Sequence, residues 1–278
     1  IYDGTAYVGD GIYNSSGSGQ TCLQQVTPGG TAMYLARFHN DGNMAQSLRI
    51  TGTSGNSKWT VRYVDHTTGH DITAAVTGTG WQTPILNQGG WLPVKVLITP
   101  GATTAAGAAR NALITGTSAV DAAKSDAVKA TAVCASYVQP DALIYNGAVY
   151  IGDGVYNSNG TGQTFAQAVS LGRTATYQVR FCNDGNTAQR LKTKGSPGSS
   201  KWTVRYVDYA TGADITAAVT SAGWQTASLS PGAYVRLKVL VTPGASAAVG
   251  ATASILVTAT STVDATKKDV VKASTTRK

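Results

Sequence analysis

The sequence is an internal duplication, and this limits the folds that the chain can adopt. Residue n matches residue n+143 without a gap from Ile1 and Ile144 to Ala135 and Lys278. Residues 58–65 recur unchanged as residues 201–208, and residues 71–77 recur as 214–220. A period of 143 residues is far longer than the roughly 20–50 residues of solenoid repeats, so each copy is predicted to be a complete domain. A site on which the domain itself depends should therefore occur in both copies.

The composition favours strands and turns over helices. Aspartate is the only acidic residue type, since the chain contains no Glu. Long helices draw on Glu, Lys, Leu and Ala together, and of these only Ala is abundant. Two domains of roughly 140 residues are each long enough to bury a core without cross-links. We expect domains over residues 1–135 and 144–278, joined by a short linker over 136–143 that holds them in a fixed relation.

Strand patterns follow one another closely within each copy. Residues 33–38 and 59–63 alternate apolar and polar side chains, and so do 94–98, 112–115 and 127–131. Asp-Gly and Pro-Gly turns separate them, which is typical of antiparallel sheets. The sequence therefore predicts an all-β chain of two tandem immunoglobulin-like antiparallel β-sandwiches, with about seven to nine strands each.

A family resemblance rests on two repeated motifs. A strand of the form Tyr-x-x-Arg-Phe is followed by Asn-Asp-Gly-Asn at residues 34–43 and 177–186, and Lys-Trp-Thr-Val comes after the next turn. This pattern resembles the extracellular immunoglobulin-like repeats of bacterial and archaeal surface proteins, including CARDB-like and DUF11-like modules. The resemblance implies an extracellular or cell-surface stalk, adhesin or fibre domain, and it implies no catalytic residues.

The net charge of +8 is unevenly distributed. Residues 1–143 are neutral, and residues 144–278 carry the whole excess. A nucleic-acid surface built into the fold would be basic in both copies, so we expect no nucleic-acid partner. No stretch approaches the about 20 apolar residues of a membrane span. Because the sequence starts at Ile1 rather than Met, we expect that a leader was removed or that a longer precursor exists.

Six aspartates are common to both copies. Two of them precede a glycine, which is typical of turn residues. No Asp-x-Asp-x-Asp-Gly loop is present, so we expect the aspartates to stabilise turns, and calcium bound at a cluster of loops is the alternative. The six are Asp10, Asp41, Asp65, Asp71, Asp121 and Asp126, and each has an aspartate partner 143 residues later.

The histidines and cysteines are not shared between the copies. His39, His66 and His70 lie only in the first copy, and a third ligand for a metal near His66 and His70 is not evident. Cys22, Cys134 and Cys182 permit one intramolecular disulfide at most. No catalytic, cofactor-binding or metal site is predicted, and we do not expect an enzyme.

The tryptophans have two possible roles, packing in the core and binding of sugars. Trp59 and Trp202 lie on the inward face of a strand, whereas Trp91 is replaced by Tyr234 in the second copy. Exposed aromatic rings form sugar platforms, although packing explains most aromatic residues.

Two functions follow from these observations. The first is a structural extracellular protein that assembles with copies of itself, head to tail, into a filament, surface layer or stalk. The alternative is an adhesin or carbohydrate-binding module of a larger secreted protein, with cell-surface glycans as partners.

Overall fold

The computed structural model describes residues 1–278, which form two compact units, Ile1–Tyr137 and Val138–Lys278. Each unit is a β-sandwich, so the predicted all-β, immunoglobulin-like fold class is confirmed. The expected linker over 136–143 differs from the structure, because a strand of the second unit begins at Pro140. Proline is compatible with the first residue of a strand, where its missing N–H group need not join the ladder.

Unit 1 consists of eight strands and one short helix. The strands are β1 (Thr21–Val26), β2 (Ala32–His39), β3 (Leu48–Gly52), β4 (Trp59–Asp65), β5 (Trp81–Gln82), β6 (Trp91–Pro100), β7 (Ala109–Ser118) and β8 (Ser125–Cys134). The helix α1 (Thr73–Thr77) follows β4 and buries Val76.

Unit 2 repeats this order and adds two strands at its start. The strands are β9 (Pro140–Tyr145), β10 (Tyr150–Ile151), β11 (Thr164–Val169), β12 (Ala175–Asn183), β13 (Leu191–Gly195), β14 (Trp202–Asp208), β15 (Trp224–Gln225), β16 (Tyr234–Pro243), β17 (Thr252–Ser261) and β18 (Lys268–Arg277). The helix α2 (Thr216–Thr220) lies between β14 and β15.

One sheet is the same in both units, and the other is not. The shared sheet has the order β1-β8-β7-β3-β5 in unit 1 and β11-β18-β17-β13-β15 in unit 2. The outer strands β1 and β11 pair in parallel with β8 and β18, respectively. This differs from the prediction, in which the sheets are antiparallel throughout. The facing sheet has three strands, β2-β6-β4, in unit 1 but five, β10-β9-β12-β16-β14, in unit 2.

The core of each unit lies between its two sheets. In unit 1 the alternate residues of β2 and β4 that face the core are buried, which explains the period of two in the sequence. Tyr34 and Tyr63 are fully buried. The Tyr34 hydroxyl donates to the Thr131 carbonyl oxygen of the facing sheet at 2.6 Å. The Tyr63 hydroxyl donates to the Thr53 carbonyl oxygen at 2.8 Å, so neither polar group is unsatisfied.

No helix of the structure has the length and apolar character needed to cross a membrane.

Candidate functional site

The shared aspartates fall into two groups in the structure. Asp65 closes a turn by accepting hydrogen bonds from the Thr67 amide and the Thr68 hydroxyl, at 2.9 and 2.7 Å. Asp71 pairs with the Arg62 guanidinium at 2.7 Å. No group of three His, Cys or acidic side chains lies close enough to hold a metal ion. The remaining four line one groove of unit 1: Asp10, Asp41, Asp121 and Asp126.

The histidines do not converge. His66 and His70 are exposed in a turn, whereas His39 lies in β2 and lines the groove. The His39 ring stacks against Trp91 with centroids 6.4 Å apart. Burial and the neighbouring Arg37 lower the pKa of His39. The three cysteines are buried, and they form no disulfide.

The tryptophans differ in burial, and core packing is confirmed for Trp59, whereas the exposure of Trp91 departs from the favoured packing role. Trp59 and Trp202 are buried in the cores, whereas Trp91 is half exposed. The Arg37 guanidinium lies 4.0 Å from the Tyr7 ring centroid and 5.1 Å from that of Trp91. Unit 2 repeats this stack with Arg180, Tyr150 and Tyr234.

The most prominent concave feature of unit 1 is the groove beside β2, with a cavity volume of about 940 Å³. Its walls come from residues around 7–13, 37–39, 41–46 and 116–128. Several apolar side chains are among its lining residues: Ile1, Val8, Ile12, Phe38, Leu48 and Val128. A cavity of this size with apolar lining and a few polar groups is the usual form of a binding site.

In unit 2, strand β9 occupies the position that corresponds to this groove. It pairs antiparallel with β12, with Leu143 opposite Arg180, Ala142 opposite Phe181 and Asp141 opposite Cys182. Ala142 and Ile144 pack into the core of unit 2. In unit 1, Ile1, the counterpart of Ile144, is likewise buried, and the Tyr2 amide donates to the Leu35 carbonyl oxygen at 2.9 Å.

Three backbone amides in and just after β2 correspond to amides that face β9 in unit 2. In unit 2 the Asp184 amide donates to the Gln139 carbonyl oxygen at 2.8 Å. Since outward amides alternate along an antiparallel strand, the amides of Arg180 and Cys182 also face β9. Their unit 1 counterparts are the amides of Arg37, His39 and Asp41.

A shared carboxylate ties the facing sheet to the preceding loop in both units. In unit 2, Asp269 accepts from the Asn157 amide at 2.9 Å through Oδ1 and from the Ala142 amide of β9 at 2.7 Å through Oδ2. In unit 1, Oδ1 of Asp126 accepts from the Asn14 amide at 2.9 Å and from Gln20 Nε2 at 2.7 Å.

A buried amide side chain fixes one wall of the groove. Asn40 follows β2, and its Nδ2 donates to the carbonyl oxygens of Met44 and Leu86, both at 2.8 Å. Its Oδ1 accepts from the Gly42 amide at 3.1 Å and from Gln46 Nε2 at 2.8 Å. This network explains the repeated Asn-Asp-Gly-Asn motif and holds the 41–46 loop next to the end of β2.

The groove is a feature that sequence reasoning missed. The sequence predicts a linker over residues 136–143, because the join is short, contains one proline and has no Gly/Ser run. Only the pairing of β9 with β12 shows that these residues complete a sheet.

Comparisons with known proteins identify no family. No family model matches the chain, and no curated protein matches it. The resemblance to CARDB-like and DUF11-like modules therefore stays a prediction.

Several solved structures are similar to the chain at low sequence identity. The C-terminal domain of the Streptococcus pyogenes antigen I/II-family protein AspA is 10% identical, over 91% of this chain and 94% of that one, with a TM-score of 0.28. The CupB6 tip adhesin from Pseudomonas aeruginosa is 8% identical, over 89% and 91%, with a TM-score of 0.32. A protein of unknown function from Porphyromonas gingivalis W83 is 10% identical, over 88% and 91%, with a TM-score of 0.30. At these TM-scores the similarities carry no argument about function.

Proposed function

We propose that this chain is a structural extracellular protein that assembles head to tail, as a subunit of a filament, surface layer or stalk. The observation that carries the proposal is the duplication: two β-sandwiches of one scaffold follow each other in the chain, and each has a core of its own. Tandem copies of one domain are typical of spacers and assembly units.

The charge distribution supports assembly of unlike ends. The neutral first copy and the basic second copy have the same scaffold, so their surfaces differ more than their folds do. Contacts between unlike ends generate open chains when the rotation does not close. The role proposed is non-catalytic.

Negative-stain electron microscopy and light scattering of the purified protein over a concentration series test this function. We expect particles whose length grows with concentration. Dispersed monomers at the highest concentration would contradict it.

An adhesin that binds glycans is the second candidate, and the half-exposed Trp91 favours it. Aromatic rings at a surface give sugars a flat stacking face. A glycan array should then give a defined hit that Trp91→Ala abolishes, while Trp59→Phe, a change in the core, leaves the hit in place. An array without a hit would exclude this candidate for the glycans it carries.

A further inference from the structure

We propose that unit 2 binds an acidic polysaccharide, one that carries sulfate or carboxylate groups, on the outer face of the sheet that contains β12 and β16. The anion-binding groups are the side chains of Arg180, Arg236 and Lys238. This inference goes beyond assembly. It gives the second candidate function, on which it rests, a ligand class and a site in unit 2 rather than at Trp91.

The strand register places three cations side by side. Arg180 of β12 lies directly opposite Arg236 of β16, and Lys238 lies two residues further along β16. Leu237, between the two cations of β16, is buried in the core, so the cations lie on the outer face, where they are partly exposed. Like charges directly opposite each other on neighbouring strands destabilise a sheet. An anion bound at this cluster would remove the repulsion.

No ion pair within the chain neutralises this cluster. The two ion pairs of the structure are Arg62–Asp71 and Arg205–Asp214, and neither includes a residue of the cluster. The whole net charge of +8 is carried by residues 144–278, the copy that contains the cluster. The cluster therefore has charge available for an anionic ligand.

Aromatic rings hold the cations in position. Cζ of Arg236 lies 4.1 Å from the ring centroid of Tyr209, and Nζ of Lys238 lies 4.9 Å from the same centroid. Cζ of Arg180 lies 5.1 Å from the ring centroid of Tyr234. A cation over a ring is attracted by its π electrons, and side chains that are ordered in advance lose less entropy when a ligand binds.

A notch of about 180 Å³ lies between two of these rings. Tyr209 and Tyr234 line it, together with Ala210, Val235 and Arg236. The guanidinium of an arginine presents parallel N–H donors that match two oxygens of a carboxylate or sulfate group. A tyrosine ring offers a sugar a flat apolar face and a hydroxyl group. This combination favours a sugar that carries an anionic group.

Unit 1 lacks this combination, although it has the same scaffold. The counterparts of Arg236 and Tyr209 are Pro93 and His66. Unit 1 therefore has neither the opposed arginines nor a tyrosine beside them. A feature that the fold requires should occur in both copies, so these two differences indicate a role for unit 2 that lies outside its scaffold.

The arrangement of the rings favours a polysaccharide over a nucleic acid. Single-stranded nucleic acids bind by stacking successive bases on aromatic rings along a basic groove. Here Tyr209 and Tyr234 flank one notch, and each ring already lies against a cation. The surface thus offers a place for one charged sugar rather than a track for a row of bases.

Binding of polysaccharides to the full chain tests the site. The probe is fluorescently labelled dextran sulfate, with neutral dextran as its control. We expect saturable binding of dextran sulfate by anisotropy, weakened by added NaCl, and no binding of neutral dextran. Polygalacturonate, which carries carboxylates, should compete with the probe. Absence of binding to both polyanions would overturn the proposal.

A matched pair of arginine variants locates the site. Arg236→Gln and Arg190→Gln each remove one positive charge from unit 2, but the exposed Arg190 lies next to β13 in the other sheet. We expect binding of dextran sulfate to weaken at least about tenfold for Arg236→Gln, because charge-assisted hydrogen bonds are lost, and to change little for Arg190→Gln. Circular dichroism checks that both variants are folded. Equal losses in two folded variants would mean that only net charge matters, and would contradict the site.

A second pair of variants tests the aromatic support without changing the charge of the cluster. Tyr209→Ala removes the ring that lies against Arg236 and Lys238, and binding of dextran sulfate should weaken about fivefold. His66→Ala is the corresponding change in unit 1 and should leave the affinity unchanged. An unchanged affinity in folded Tyr209→Ala would contradict the notch as the site.

A single-stranded DNA of mixed sequence, measured at the same ionic strength, tests the ligand class. We expect it to bind more weakly than dextran sulfate. Tighter binding of the DNA, with the same loss in Arg236→Gln, would overturn the assignment of a polysaccharide.

The outcomes separate this inference from the proposed functions. A glycan-array hit that Trp91→Ala abolishes and Arg236→Gln retains would leave the adhesin role standing and contradict the site in unit 2. Binding of dextran sulfate that depends on Arg236, by a protein without any array hit, would leave this site standing and contradict the role of Trp91. Assembly without binding of either polyanion would leave the structural role standing and contradict the inference.

Discussion

Asp141 is fully buried in unit 2, and its Oδ1 atom has no hydrogen-bond partner. Burial, followed by the charge of Asp184, raises the pKa of Asp141 from 3.8 to about 7. The folded protein therefore holds this proton more tightly than the unfolded chain does. As a result, the free energy of unfolding should fall as the pH rises from about 4 to about 7.

Asp141→Asn should remove this part of the pH dependence, because the amide does not ionise. Denaturant unfolding at pH 4.5 and 7.5 measures the difference. Asp214→Asn is the control, since hydrogen bonds from Thr216 and Arg205 lower the pKa of Asp214 to about 2, outside this window. An unchanged pH slope in Asp141→Asn would show that Asp141 ionises normally in the folded protein.

Gly52 lies against a buried ring. A methyl group at Gly52 would lie 2.6 Å from the hydroxyl oxygen of Tyr63, which is fully buried and hydrogen bonded. Gly52→Ala should therefore destabilise unit 1 by about 1–3 kcal/mol, as overpacking of a core does. Gly101→Ala, whose methyl group would meet its nearest atom at 3.3 Å, should cost less. Equal denaturation midpoints for both variants would contradict this contact.

At the scale of elements, the 41–46 loop depends on the single side chain of Asn40. Asn40→Ala would leave the Gln46 side-chain amide and the Met44 carbonyl oxygen without these partners, and each unsatisfied buried group costs about 1–3 kcal/mol. We expect denaturant unfolding to show a loss of at least about 2 kcal/mol in the free energy of unfolding. The exposed Asn43 in the same loop is the control: Asn43→Ala should leave this free energy unchanged within error.

The strands differ in how far the sequence predicted them. Alternation identified β2, β4, β6, β7 and β8, because the side chains on the core-facing side of each strand are apolar at every second position. β1 was missed, since Gln24 and Gln25 interrupt its pattern and its parallel partner β8 lies about 100 residues later in the chain. The helix α1 was missed because five residues are too few for a helical period to appear.

At the scale of the whole molecule, the duplication predicted two domains of one fold but not the groove. The residues that the two copies share proved to lie in turns and in the cores of the two units. The groove beside β2 is lined instead by residues that are far apart in the sequence, such as Tyr7, Phe38 and Asp126, and only the folded structure brings them together. Residues 140–143 likewise gain a structural role only from the pairing of β9 with β12.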